Sequence, residues 1–189
     1  MKNLKKPASV PCFLIDETTT FGEAALLWFK FGLQVIPVIP GTKIPAVKWN
    51  AWFHGLDEEK IKDYWNKHRD HELAFMVGKG IVVFDMDSKE ASTAMLQLMR
   101  KHDMYPTMLV KTEHGTHYYF RLEVGVNIMM DSHSTSEHPE RIDVKTGRSA
   151  VMLPPSTAKV VALLKANNVS ELASASQEFI DAVFRHNGR

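Results

Sequence analysis

The stretch Ile81-Val82-Val83-Phe84-Asp85-Met86-Asp87 decides how the rest of the chain is read. A short apolar run predicts a buried strand, and that strand ends in two carboxylates at positions i and i+2. Side chains alternate along a strand, so Asp85 and Asp87 project to one side, roughly 6–7 Å apart. Oxygen ligands at that spacing suit a hard divalent cation, Mg²⁺ or Mn²⁺ above all. The same residues also fit a strand that simply runs into a solvated Asp-x-Asp turn.

Working outward, Leu73-Ala74-Phe75-Met76-Val77 is a second apolar run, and Gly78-Lys79-Gly80 between the two predicts a strand pair joined by a tight turn. Downstream, Ser88 is a cap for a helix over Lys89 to His102, with Ala91, Met95, Leu98 and Met99 facing inward. Met108 to Thr112 and His117 to Leu122 predict a hairpin turning at Glu113-His114-Gly115-Thr116. Arg141 to Lys145 and Ala150 to Leu153 predict another, around Thr146-Gly147-Arg148, stopped by Pro154-Pro155. From Val160 to Phe184 the pattern is helical, with a break at Asn167-Asn168.

Upstream, Thr20 and Glu23 form a capping box for a helix carrying Ala24, Ala25, Leu27, Trp28 and Phe31, closed by Gly32. Leu33 to Val38 reads as a strand whose Pro37 places it at an edge or an end. A loop follows, Pro40 to Pro45, and a capped helix starts near Leu56-Asp57-Glu58-Glu59, with Ile61, Tyr64 and Trp65 on one face. This order of elements predicts an α+β fold with a mixed or mostly antiparallel sheet. The expected organisation is an arm over 1–17, a main unit over 18–159 (modules 18–72 and 73–159), and a helical segment over 160–189.

Composition narrows the classes. With 44% hydrophobic and 24% charged residues among 189, collagen-like, disordered and disulfide-scaffold chains are excluded. A net charge of +1 supplies no global basic field, although a local patch can still bind a polyanion. Cys12 is the lone cysteine, so no internal disulfide and no cysteine-based zinc site can form, and a reducing compartment fits. No apolar run is long enough to span a bilayer, and no apolar signal-peptide core follows the basic start. The expected location is the cytoplasm, without membrane partners.

Two further strands carry chemistry-bearing residues. His117 and Tyr119 share one face of the strand after Gly115, with Tyr118 and Phe120 on the other. An imidazole there could hold a phosphate oxygen, or be incidental in a hairpin of half-buried aromatics. Asp143 and Lys145 share a face opposite Ile142 and Val144, fitting either a surface ion pair or a metal ligand beside a phosphate-holding lysine. In combination, three carboxylates, a histidine and a lysine on short strands describe an acidic, phosphate-handling sheet surface above a packed core. Lys43, Lys48, Trp49, Trp52 and Phe53 mix cations and aromatics, as a single-strand stacking platform or as an aromatic core with surface lysines. Asp131, His133 and His138 could suggest an extra metal site, but their polar loop lacks an apparent rigid scaffold.

Taken in order, Phe84-Asp85-Met86-Asp87, Thr112 through Phe120, and Ile142-Asp143-Val144-Lys145 running into Val151-Met152-Leu153-Pro154-Pro155-Ser156 resemble the primase-polymerase (prim-pol) domain of the archaeo-eukaryotic primase superfamily, common in phages and plasmids. Gly32 to Val38, Lys43-Ile44-Pro45, Trp49 and Ile61 to Trp65 are similar to its amino-terminal part, so the resemblance covers roughly Phe21 to Ser156. It implies an RRM-like catalytic sheet packed with an amino-terminal α/β module. The implied activity is two-metal nucleotidyl transfer, with Mg²⁺ or Mn²⁺, from nucleoside triphosphates to a 3′-hydroxyl on a single-stranded DNA template. It further implies a replicative helicase, acting in trans or carried in a longer parent chain.

By the same resemblance, Asp85, Asp87 and Asp143 bind the metals, and His117 and Lys145 meet the triphosphate. Lys43, Thr116 and Ser156 help line the nucleotide site. The chain departs from the family where Thr116 replaces the second glycine of a usual pair. It also departs at Glu72-Leu73-Ala74-Phe75, where Asn-Ile-Gly-Ile is common, and in lacking a Gly-x-x-Tyr-x-Trp stretch after the Pro-Pro-Ser. A metal-dependent nuclease or phosphohydrolase would use the same aspartates, and a non-catalytic nucleic-acid-binding replication protein would keep only the fold.

Overall fold

The computed structural model describes residues 15–16, 18–78, 80–128, 137–147 and 149–188. The chain enters through α1 (Phe21–Phe31), where Thr20 accepts from the Glu23 amide at 3.3 Å and the Glu23 carboxylate accepts from the Thr20 amide at 2.9 Å. The two bonds satisfy amides that a helix start otherwise leaves unpaired. Gly32 ends the helix at φ +106°, a conformation that glycine adopts at little steric cost. Next come β1 (Val35–Val38), α2 (Trp49–Phe53), α3 (Glu58–Lys67) and β2 (Glu72–Met76). The second half holds β3 (Ile81–Met86), α4 (Lys89–Lys101), β4 (Met108–Lys111), β5 (Thr116–Leu122), β6 (Asp143–Lys145) and β7 (Ala150–Met152). The chain closes with β8 (Val160–Leu164), a 3₁₀ turn (Val169–Glu171), β9 (Ser174–Ala175) and α5 (Gln177–His186).

The expected α+β class holds, in the form of two antiparallel sheets. A small one has the order β1-β2-β7, with proline-bearing β1 at its edge. The larger has the order β6-β3-β5-β4-β8, and β9 adds in parallel beside β5. The predicted β4–β5 hairpin forms, pairing Met108 with Tyr119 and Lys111 with Thr116.

Three expectations are corrected. The run Leu73 to Phe84 is not a hairpin, because β2 pairs with β1 and β7 while β3 pairs with β5 and β6. Arg141 to Leu153 is not a hairpin either, since β6 joins the larger sheet and β7 the smaller. Both turns are crossings between sheets, and they run side by side, with the Val77 amide donating to Ser149 O at 2.8 Å. The third correction is the tail. Val160–Leu164 is a strand that covers the free edge of β4, and only Gln177–His186 forms a helix of more than one turn.

Strand alternation separates two cores. Val82, Phe84 and Met86 of β3 face α4 and α5, meeting Ala91, Met95, Phe179 and Val183. There the Phe84 and Phe179 rings meet edge-on at 5.6 Å, and each fully buried ring contributes about 1.5–3 kcal/mol. Ile81 and Val83 face the other way, into a core shared with α1, the small sheet and Tyr119. The larger sheet therefore has one face under its own helices and one against the amino-terminal elements. Asp85 stands on the second face, beyond the end of that apolar contact.

Candidate active site

Antiparallel register assembles the site. Asp85 of β3 lies directly between Asp143 of β6 and His117 of β5, and residues opposite one another across strands share a face. Asp87 follows two positions on, just past the strand end. One oxygen from each of Asp85, Asp87 and Asp143 lies within 4.8 Å of the others. β6 is only three residues long, and its position is fixed by Asn187, which donates to Ile142 O at 2.9 Å and accepts from the Ile142 amide at 3.0 Å.

Around this cluster the partners are cationic. Lys145 reaches Asp143 at 2.8 Å and Asp85 at 4.0 Å. His117 is buried, with Nε2 3.2 Å from Asp85 Oδ1 and Nδ1 3.5 Å from the Tyr119 hydroxyl. Burial pushes the Asp85 carboxyl up, but His117, Lys145 and Lys159 outweigh it and hold Asp85 below the usual carboxylate range. Asp87 moves the other way: partial burial and the neighbouring Asp85 and Asp143 charges raise it. One strand end thus carries a carboxylate secured in its charged form and another whose charge is disfavoured.

The donor set fits a hard divalent cation. All three ligands are carboxylates, and Asp85 Oδ1 is buried with no hydrogen-bond donor aligned to it among the described residues. A cation at the shared point satisfies that oxygen and reverses the mutual repulsion that raises Asp87.

Gly115 explains how β5 comes so close. A Cβ there would sit 1.6 Å from Met86 O, so only glycine lets the hairpin turn rest against the peptide between Asp85 and Asp87. Thr116, the departure from the glycine pair, is the first residue of β5 and pairs regularly with Met86 and Lys111, where a side chain is accommodated.

The remaining predicted residues separate. Lys43 is exposed on the loop between β1 and α2, close enough to Lys159 for the two charges to repel. Ser156 is buried, and its hydroxyl donates to Leu73 O at 2.9 Å and accepts from the Leu73 amide at 3.1 Å. It is spent on pinning β2 rather than presented to a ligand. Its own carbonyl accepts from the Lys159 amide at 3.0 Å, which sets where Lys159 begins. Lys159 is the charged residue that the sequence reading missed. Its half-buried ammonium feels Asp85, Asp87 and Glu113, and burial together with Lys43 lowers its pKa.

The aromatic platform divides in the same way. Trp52 is core, with its indole donating to Val35 O at 2.8 Å. Trp49 is 37% exposed and, with Lys48, Phe53 and Gln34, lines a groove of about 800 Å³. Of the suggested loop metal set, Asp131 and His133 lie outside the described residues, while His138 Nδ1 sits 3.2 Å from Glu140 Oε1.

The fold and this cluster define an α+β protein of primase-like architecture. The family model described as "Bifunctional DNA primase/polymerase, N-terminal" (Prim-Pol) matches residues 25–177. The chain belongs to that family, whose function is broadly that of DNA primases and polymerases acting on DNA and nucleotides. No curated protein matches the chain. Among the described residues, no helix is long and apolar enough to cross a membrane.

Proposed function

We propose that this protein is a template-dependent DNA primase/polymerase, transferring nucleotidyl groups from nucleoside triphosphates to a 3′-hydroxyl on single-stranded DNA. The observation that carries the proposal is the convergence of Asp85, Asp87 and Asp143 oxygens at one point of the sheet. These residues would hold Mg²⁺ or Mn²⁺, which supplies a more acidic 3′-hydroxyl and charge neutralisation on the departing pyrophosphate. The chain's own part is positioning and charge compensation. Asp143 and Lys145 orient each other at 2.8 Å, and His117 braces Asp85 from the opposite strand. Lys145 offers its remaining donors to phosphate oxygens, with His117 on the same face of the sheet. The Trp49, Phe53 and Lys48 groove suits a template strand, by stacking and phosphate contact.

A replicative helicase, separate or in a longer parent chain, is the partner that such an activity calls for. The test is one incubation with single-stranded template, labelled nucleoside triphosphates and Mn²⁺ or Mg²⁺, with and without a primer. Products that lengthen with the template and vanish in Asp85→Ala support the proposal. Cleavage of a labelled oligonucleotide with metal alone favours a nuclease, and metal-independent binding without incorporation favours a non-catalytic replication protein.

A further inference from the structure

Arg121 takes no part in the carboxylate cluster. It pairs with Ile81 and lies four positions beyond His117 on β5, so it shares the face of His117 and Tyr119. At about 3.4 Å per residue it stands roughly 14 Å along the strand from the histidine, at the far end of the apolar contact. Its amide is spent in the sheet, donating to Ala173 O at 3.0 Å. The side chain has no such use. Nε is buried with no hydrogen-bond partner, and the guanidinium forms no ion pair among the described residues. A buried donor left unpaired works against folding, so an arginine kept in that state calls for a partner from outside the chain.

The side chain lines a cleft of about 460 Å³, walled also by Gly32, Gly80 and Ser170. Gln34, Met76 and Gly78 line this cleft and the Trp49 groove alike, so the two hollows meet over Gly78. The fold itself does not require glycine there. Gly78 has no positive φ, and the nearest atom to a Cβ would be Gln34 Oε1, at 4.0 Å. A bare backbone at that junction keeps the floor low for a ligand that passes from one hollow to the other. Charge is matched as well: Lys48 lines one hollow and Arg121 the other, and no Asp or Glu among the described residues lines either.

We infer that the Arg121 cleft is a backbone-phosphate subsite for single-stranded DNA, entered by the strand that lies in the Trp49 groove and crosses Gly78. This rests on the assignment of that groove to the template strand. Trp49 and Phe53 offer ring faces to bases, and the guanidinium offers a fork of donors that fits two oxygens of one phosphate. The phosphate supplies the acceptor that Nε lacks. Because the subsite touches backbone alone, it holds the strand without reading its sequence.

The experiment measures binding of labelled oligodeoxythymidylates to the full chain, without metal or nucleotide, by fluorescence anisotropy over a range of salt. Two lengths are compared, about 4 and about 16 nucleotides, the span of single-strand site sizes. Arg121→Gln is expected to weaken the longer strand about tenfold, as for one lost charge-assisted contact, and to lower its salt slope by about 0.7. The shorter strand, which the Trp49 groove holds, should change by less than about twofold. Arg121→Lys should keep the salt slope and recover part of the affinity, and Gly78→Leu should weaken chiefly the longer strand. Arg121→Gln should melt at or above the wild-type temperature, because it removes an unpaired buried donor; should it unfold, Gly78→Leu carries the same comparison of lengths. Equal loss for both lengths, or no loss for either, overturns the subsite. Inorganic phosphate that binds the wild type but not Arg121→Gln, with long-strand affinity equal in the two, makes this a free-phosphate site and overturns the strand. If Trp49→Ala leaves both lengths bound as tightly as before, the template assignment of the groove falls, and this inference with it.

Discussion

The two ends of one β face differ sharply. At the Ile81–Val83 end, β3 and β5 bury apolar side chains against the amino-terminal elements, and Phe75 lies on Tyr119 with ring centroids 5.9 Å apart. Two to four residues further along the same strands, the face carries Asp85 and His117, with Asp143 beside them on β6, and apolar packing gives way to charge. The backbone ladder continues unbroken through both. One end supplies stability and holds the strands in register, so that the other can keep like charges together at a net cost. Activity and stability should therefore separate along a single strand.

The sharpest break is expected at the charged end. Asp85→Ala should lower incorporation by roughly 10³-fold or more, about 4 kcal/mol of barrier, with a thermal midpoint shifted by only a few degrees. Extension assays and melting curves on the same preparation check both halves, and near-normal extension in Mn²⁺ would refute the site. At the apolar end, Phe75→Ala should cost about 3–5 kcal/mol in denaturant unfolding. Activity per folded molecule should change by less than about tenfold. A larger loss would mean that the Phe75–Tyr119–His117 contact carries function as well as packing.

Ser156→Ala tests an intermediate case. Removing a hydroxyl that bonds both backbone groups of Leu73 should cost about 1–3 kcal/mol of stability, read by denaturant titration. Activity per folded molecule should change by less than about tenfold, because the hydroxyl is spent on backbone groups of β2.

The smallest effect is electrostatic. Asp87, raised in the fold, binds its proton more tightly there than in the unfolded chain. Its contribution favours the fold below the unfolded carboxylate pKa and is lost as pH rises through the raised value. Metal-free Asp87→Asn should therefore melt slightly above the wild type at neutral pH, and the gap should close on acidification. Asp85 has the opposite sign: its lowered pKa stabilises above the unfolded value and fades as pH falls through the depressed one. Melting curves over pH, with and without Mg²⁺, check both.

What could be read from sequence was local. The Thr20–Glu23 capping box, the β4–β5 hairpin and the shared face of Asp85 and Asp87 follow from short-range rules of spacing and alternation. Sheet membership did not follow. Gly78-Lys79-Gly80 and Thr146-Gly147-Arg148 are turn-like, yet a turn signal states that the chain changes direction, not which strand it pairs with next. Val160 to Leu164 is apolar at every position, so neither period stands out, and the free edge of β4 decides the outcome. Lys159 was invisible for the same reason: its nearness to Asp85 and Asp87 follows from strand pairings between distant parts of the chain, and nothing in Ser156-Thr157-Ala158-Lys159 marks it.

The paired crossings between the sheets have a mechanical consequence. The chain crosses a third time where Leu153 to Lys159 leads from β7 into β8. Together with the two straps tied by the Val77–Ser149 bond, and with one apolar core shared by both sheets, this leaves no single line to bend about. The carboxylates and the amino-terminal elements are thereby carried as one body, in the manner of a box riveted along several seams.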